Sequence, residues 1–123
     1  MAELIYPKLS YKIVGILFKV HRELGPGHQE KYYARALKIE FDRQNIKAIQ
    51  EHPIDLKYSG SKIGRHYLDF LIEDKVVLEI KSVKYLHPKF KRQVLEYLTS
   101  GGFELAIIAN FGTPTMKPIR VVN

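Results

Sequence analysis

Apolar residues in the first third of the chain recur at helical spacing. After Ser10 they follow at intervals of three and four residues as far as Leu24, and Gly25 then interrupts the pattern. A second helical pattern covers residues 29–43. The pattern therefore predicts two amphipathic helices, with Ser10 as the N-cap of the first.

From Ile46 onward the pattern changes to short extended segments. Residues 47–51, 54–58 and 62–72 predict strands, with a turn-forming Ser-Gly-Ser sequence before the third. Residues 73–75 then predict a tight turn. It leads into a strongly β-forming segment, 76–83, whose only charged residues are a glutamate and a lysine.

The last third predicts one more helix and two more strands. Pro88 suits the first turn of a helix that runs to about Ser100. Residues 105–109 form a continuous apolar run, typical of a strand buried on both faces, so a helix is expected on each side of the sheet. Residues 117–122 predict an edge strand. This order predicts an α/β fold, a single α/β/α sandwich domain with a mixed central sheet over residues 1–123.

Charge and composition narrow the class of function. The 20 basic residues against 13 acidic ones give a formal net charge of +7, which favours a polyanionic partner such as nucleic acid, although an anionic membrane surface would attract the same charge. The absence of cysteine excludes thiolate catalysis, zinc knuckles and iron–sulfur clusters. No apolar run is long enough to span a bilayer, so no membrane insertion and a cytoplasmic setting are expected.

Three residues supply a candidate chemistry. Glu79 and Lys81 are two apart on one predicted strand and therefore project from one face, and the tight turn brings Asp69 of the preceding strand close to them. Two carboxylates suit a divalent cation such as magnesium, and an adjacent ammonium can hold an attacking water, as phosphodiester hydrolysis requires. The same spacing also fits a solvent-exposed Glu–Lys pair on an edge strand, worth about 0.2–1 kcal/mol.

The histidines give no further metal signal. His28 and His66 precede acidic residues, at positions 30 and 69, and either fits an outer contact of a site as well as an ordinary surface position. None of the five histidines has the His-x3-His spacing of a zinc site.

The segment Gly27-His28-Gln29-Glu30-Lys31-Tyr32-Tyr33 resembles the signature of the small GxxExxY proteins, which are assigned to the PD-(D/E)XK nuclease-like superfamily. The resemblance implies a restriction-endonuclease-like core. It extends in order along most of the chain, through Leu9-Ser10-Tyr11-Lys12-Ile13-Val14-Gly15, Leu24-Gly25-Pro26-Gly27, Asp69-Phe70-Leu71, Glu79-Ile80-Lys81 and Ile108-Ala109-Asn110-Phe111-Gly112.

The resemblance also implies a role for each site residue. Asp69 and Glu79 would bind magnesium or manganese with help from the Ile80 carbonyl, and Lys81 would be catalytic. Glu30 matches the acidic residue that the superfamily often places on the helix before the sheet. Taken alone, Glu30 also fits a favourable partner of a helix dipole.

The predicted third helix adds a possible substrate surface. Gln93 and Tyr97 are four apart and share a face, similar to the Gln-xxx-Tyr element of helicase-linked exonucleases in the superfamily. The similarity implies that Gln93 flanks the catalytic site and that Tyr97 orients nucleic acid, although Tyr97 equally fits a tyrosine packed on the core. Phosphate contacts are predicted for the neighbouring cations, for which a solvated helix face is the alternative: Lys84, Lys89, Lys91 and Arg92.

These observations predict a metal-dependent nuclease acting on nucleic acid, with DNA favoured over RNA. The first alternative is a non-catalytic nucleic-acid-binding or regulatory module on the same fold, and a second is an oligomeric scaffold whose basic charge is incidental. A domain of this size has little surface for gripping a duplex, so symmetry arguments favour a homodimer.

Overall fold

Five strands and three helices make up the described part of the chain. The computed structural model describes residues 5–123, so residues 1–4 of the predicted domain lie outside the described residues. None of the helices in this part is both long and apolar enough to cross a membrane. In chain order the elements are α1 (Pro7–Leu24), α2 (Glu30–Arg43), β1 (Ala48–Tyr58), β2 (Ser61–Ile72), β3 (Val76–Lys81), α3 (Lys89–Gly101), β4 (Leu105–Asn110) and β5 (Ile119–Val122).

The strands form one mixed sheet in the order β1-β2-β3-β4-β5. The first three strands are antiparallel, β3 and β4 run parallel across α3, and β5 returns antiparallel to β4. Ser59 and Gly60 both have positive φ, at 49° and 79°, which gives the β1–β2 hairpin the turn that matches strand twist. Glu73 and Asp74, also at positive φ, turn β2 into β3.

Helices cover both faces of this sheet. Leu78 and Ile80 of β3 join the apolar cluster under α1 and α2, whereas Val77 joins the cluster under α3. By alternation, Glu79 and Lys81 also project toward α3. The predicted sandwich with a mixed central sheet is confirmed, because β3 and β4 are buried on both faces.

Two local predictions were wrong. Helix α1 begins at Pro7, so Ser10 is a buried residue of its first turn and not an N-cap. The Ser10 hydroxyl accepts a hydrogen bond from Arg120 Nη1 at 3.0 Å, a contact 110 residues away in sequence. Strand β1 is also continuous through Pro53, where two separate extended pieces were expected.

Candidate active site

The carboxylates of Asp69 and Glu79 are held by each other's strands. Glu79 is 2% exposed, and its Oε2 accepts a hydrogen bond from the backbone N–H of Asp69 at 2.9 Å. In return, Asp69 Oδ2 accepts one from the N–H of Ile80 at 2.7 Å. The two acidic residues therefore converge inside the sheet, between its second and third strands.

An irregularity in the sheet directs Asp69 into this position. Leu68 packs on the α3 side and Phe70 on the α1/α2 side, although residues two apart on a regular strand share a face. Strand β2 pairs with β3 only from Phe70 onward, and the paired positions of β1 and β2 skip from Leu68 to Phe70. Asp69 therefore lies where β2 parts from β3.

The backbone of β1 is strained at the residue that lies across from Asp69. Glu51 of β1 has a φ of 54°, a left-handed conformation that is uncommon for a residue other than glycine. It is also the β1 residue that the pairing with β2 leaves out. Non-glycine residues in this region cost about 1–3 kcal/mol and cluster at functional sites.

Burial alters the protonation of Glu79. The low-polarity surroundings, followed by the negative charge of Asp69, raise the pKa of Glu79 to about 9. Burial lowers the pKa of His66, whose Nε2 lies 2.9 Å from Glu79 Oε1. Because the pKa of Glu79 is raised and that of His66 is lowered, an uncharged hydrogen bond is favoured over an ion pair at this contact.

Lys81 lies on the same side of the sheet, at the end of β3. Its Nζ is 4.6 Å from the centroid of the Phe90 ring, close enough for a cation–π contact. Lys81 and Gln93 line one cavity of about 210 Å³. Gln93 therefore faces the same cavity as Lys81.

Glu30 approaches the site from α2. It lines a cavity of about 290 Å³ together with Asp69, Ile80 and Glu51. Partial burial raises the pKa of Glu30, the positive charge of Lys81 opposes that shift, and the negative charge of Asp69 adds to it. Glu30 is thus within electrostatic reach of both strands.

The loop before α2 is tied to the end of β3. The buried Tyr33 donates its hydroxyl proton to the Gly25 carbonyl at 2.6 Å and accepts a bond from the N–H of His28 at 3.0 Å. Ser82, next to Lys81, donates to the carbonyl of His28. These contacts hold Glu30 in place relative to the strand.

The segment after β4 fixes the backbone that follows Lys81. Asn110 accepts hydrogen bonds from the N–H groups of Val83 and Gly112, and it donates to the Val83 carbonyl. Phe111 N–H donates to the carbonyl of Lys81 at 2.7 Å. A Cβ on Gly112 would lie 2.2 Å from the Val83 oxygen, so only glycine permits this approach.

Comparison with protein-family models decides the family. A model described as the PD-(D/E)XK nuclease superfamily matches residues 7–121. The chain belongs to the PD-(D/E)XK nuclease superfamily. No match was found among curated proteins or among solved structures.

Members of the PD-(D/E)XK superfamily are usually nucleases, which makes nucleic acid the expected substrate. The alternative of an exposed Glu79–Lys81 pair on an edge strand is wrong. Strand β3 is the third of five strands and Glu79 is buried, so the two residues are not an exposed pair on an edge strand.

The predicted phosphate-binding cations line three different cavities, none of which is the cavity of Asp69. Lys89 lines the cavity of Lys81, whereas Lys91 and Arg92 line a separate groove, and Lys84 lines a third cavity.

Tyr97 is half-buried and stacks on His66 with ring centroids 3.7 Å apart and planes at 10°. That stacking favours the packing alternative for Tyr97, since one face of its ring is covered.

Two residues near the candidate site carry little signal in the sequence. His66 was weighed only as an outer contact or surface histidine, and nothing local shows that it faces Glu79, because the register of β2 and the position of α3 decide that contact. Glu51 was absent from the prediction. Its strained backbone has no sequence signal, since left-handed conformations are normally marked by glycine or asparagine.

The donor types fit a hard divalent cation, because Asp69, Glu79 and the Ile80 carbonyl offer only oxygen. Within residues 5–123, however, no group of three or more His, Cys, Asp or Glu side chains is arranged to hold a metal ion. Both oxygens of Glu79 are engaged within the protein. A cation there would require Glu79 to be ionised.

Proposed function

We propose that this protein is a metal-dependent nuclease of the GxxExxY group that hydrolyses phosphodiester bonds with magnesium or manganese. The observation that carries the proposal is the burial of Glu79 against Asp69, which raises the pKa of Glu79 to about 9. Two ionised carboxylates so placed would repel each other, which a bound cation would relieve, and strongly shifted groups of this kind concentrate at functional sites. DNA is favoured over RNA, and the cytoplasmic setting expected from the sequence is retained.

The proposed roles follow the geometry. Asp69, Glu79 and the Ile80 carbonyl would hold the ion, which supplies Lewis-acid stabilisation of the phosphoryl oxygens when bound. Lys81, oriented by Phe90, would donate a hydrogen bond to the attacking water or to the phosphate, which gains negative charge in the transition state.

Two further residues complete the proposed machinery. The raised pKa of Glu30 makes its carboxylate a better acceptor for the proton that the water releases. Gln93, on the cavity wall beside Lys81, would orient the substrate or the water through its amide.

A non-catalytic nucleic-acid-binding module on the same fold is the second candidate. It is favoured by one observation, the engagement of both Glu79 oxygens within the protein. In that case the carboxyl pair would be a structural feature of the sheet. Metal binding and turnover would then be absent together, or the metal would bind without any cleavage.

Cleavage assays with matched variants separate the two candidates. Labelled single- and double-stranded DNA and RNA are incubated with magnesium or manganese and wild-type protein, Asp69→Asn, Lys81→Ala or the exposed control Glu104→Gln. We expect the first two variants to lose about 10²–10³-fold in rate, because each loses a charge that acts in the transition state, and the control to keep wild-type activity. Wild-type protein that binds the metal by calorimetry yet cuts none of the four substrates would favour the module.

A further inference from the structure

The first turns of α2 place two cations on the wall of the candidate site. Lys31 and Arg35 are four residues apart and therefore share a face of the helix. Both are exposed, and both line the 290 Å³ cavity that Asp69, Ile80 and Glu30 also line. The cavity thus combines the proposed cation ligands with two positively charged side chains.

These two cations have no carboxylate partner, unlike the other cations at the end of the helix. Lys38 bonds Asp42 at 2.8 Å and Arg43 bonds Glu40 at 2.9 Å. Among residues 5–123, neither Lys31 nor Arg35 has a carboxylate oxygen within 4.0 Å.

Their contacts are with an aromatic ring of the same helix. Lys31 Nζ and Arg35 Cζ lie 5.2 and 5.7 Å from the centroid of the Tyr32 ring. A cation–π contact orients a cation without using its N–H donors on an acceptor oxygen. The donors of both side chains therefore stay available to a ligand.

We infer that Lys31 and Arg35 bind phosphate groups of the nucleic-acid backbone next to the scissile bond, an inference that rests on the proposed function. A phosphodiester brought to Asp69 adds negative charge to a cavity already lined by three carboxylates, so cations that line the same cavity would stabilise its neighbouring phosphates. The planar guanidinium of Arg35 can bind a phosphate with two parallel hydrogen bonds, and Lys31 acts as a point charge. The substrate backbone then follows α2 and not the row of cations on α3.

A purely electrostatic role for the two cations leads to different behaviour. If Lys31 and Arg35 only offset the charge of Glu30, Glu51 and Asp69, then removing them should tighten the binding of a divalent cation. Nucleic-acid binding would lose no specific phosphate contact. The tighter metal binding is common to both roles, so the salt dependence of nucleic-acid binding is what discriminates between them.

The test compares three double variants that each remove two positive charges: Lys31→Ala/Arg35→Ala, Lys89→Ala/Lys91→Ala, and the control Lys8→Ala/Lys12→Ala. The control pair is exposed, is also four residues apart on a helix, and lies outside this cavity. Binding of a fluorescent single-stranded DNA oligonucleotide, and of its duplex, is measured over a range of salt without divalent cation. Binding without turnover keeps the result independent of whether the protein cleaves.

Loss of two phosphate contacts should lower the slope of log affinity against log salt by about 1.4 for the single strand or about 1.8 for the duplex. We expect this change for Lys31→Ala/Arg35→Ala and not for the control. The charge-preserving variant Lys31→Arg/Arg35→Lys should keep most of the slope. An unchanged slope in Lys31→Ala/Arg35→Ala, or a slope lowered only in the α3 variant, would overturn the inference.

Discussion

Replacing Glu79 by glutamine should remove a pH dependence from the stability of the metal-free protein. The pKa of Glu79 is raised from 4.5 to about 9 in the folded state, so between those values the folded protein holds a proton that the unfolded chain has released. Stability is therefore present at low pH and is lost as pH rises toward the folded pKa. Integrating this linkage from about pH 7 to about pH 9 gives a loss of about 2 kcal/mol in the free energy of unfolding.

Between about pH 7 and about pH 9 the titration of His66 contributes little to the change in stability. Burial lowers the pKa of His66 below its usual 6.5, so His66 contributes stability that is lost only as pH falls below that value. Above about pH 7 the slope should therefore come mainly from Glu79. Urea denaturation in the presence of a chelator measures it, with Glu104→Gln as an exposed control that keeps the wild-type slope.

Magnesium should change how the free energy of unfolding depends on pH. A bound cation competes with the proton on Glu79, so the stabilisation by magnesium should be larger near pH 9 than near pH 7, and Glu79→Gln should lose that difference. A wild-type protein whose stability stays flat or rises between these two pH values would refute the reasoning that Glu79 is held protonated by burial.

Three backbone positions give further predictions. Gly112→Ala should lower the free energy of unfolding by about 1–3 kcal/mol, because its Cβ would overlap the Val83 backbone. Gly15→Ala should raise the free energy of unfolding by about 0.5–1 kcal/mol, because the added Cβ meets nothing within 4 Å in the helix. Equal effects of the two substitutions in thermal melts would contradict this. Glu51→Gly should leave stability within about 1 kcal/mol of wild type, since relief of the left-handed strain offsets the added chain entropy, while cleavage falls. Retention of full nuclease activity in that variant would exclude Glu51 from the site.

Most helices and strands could be predicted from the sequence, because each depends mainly on residues that are close together along the chain. The periodicity of the two N-terminal helices, the Ser-Gly-Ser turn and the apolar run of β4 each match one element of the structure. The tight turn after β2 forced the strands of Asp69 and Glu79 together, so their proximity was also predictable. Where prediction failed, as for Ser10, a contact from the far end of the chain decided the outcome.

By itself, then, the sequence determined the sandwich, the order of its elements and the approach of Asp69 to Glu79, since these depend on neighbours along the chain or across one turn. Only the tertiary structure decided that β3 is central, that Glu79 is buried with a raised pKa, and that His66 forms a hydrogen bond with it. It also decided which cations face the candidate site. The physical reason is that burial, strand register and helix packing depend on contacts between residues far apart in sequence, which no local pattern records.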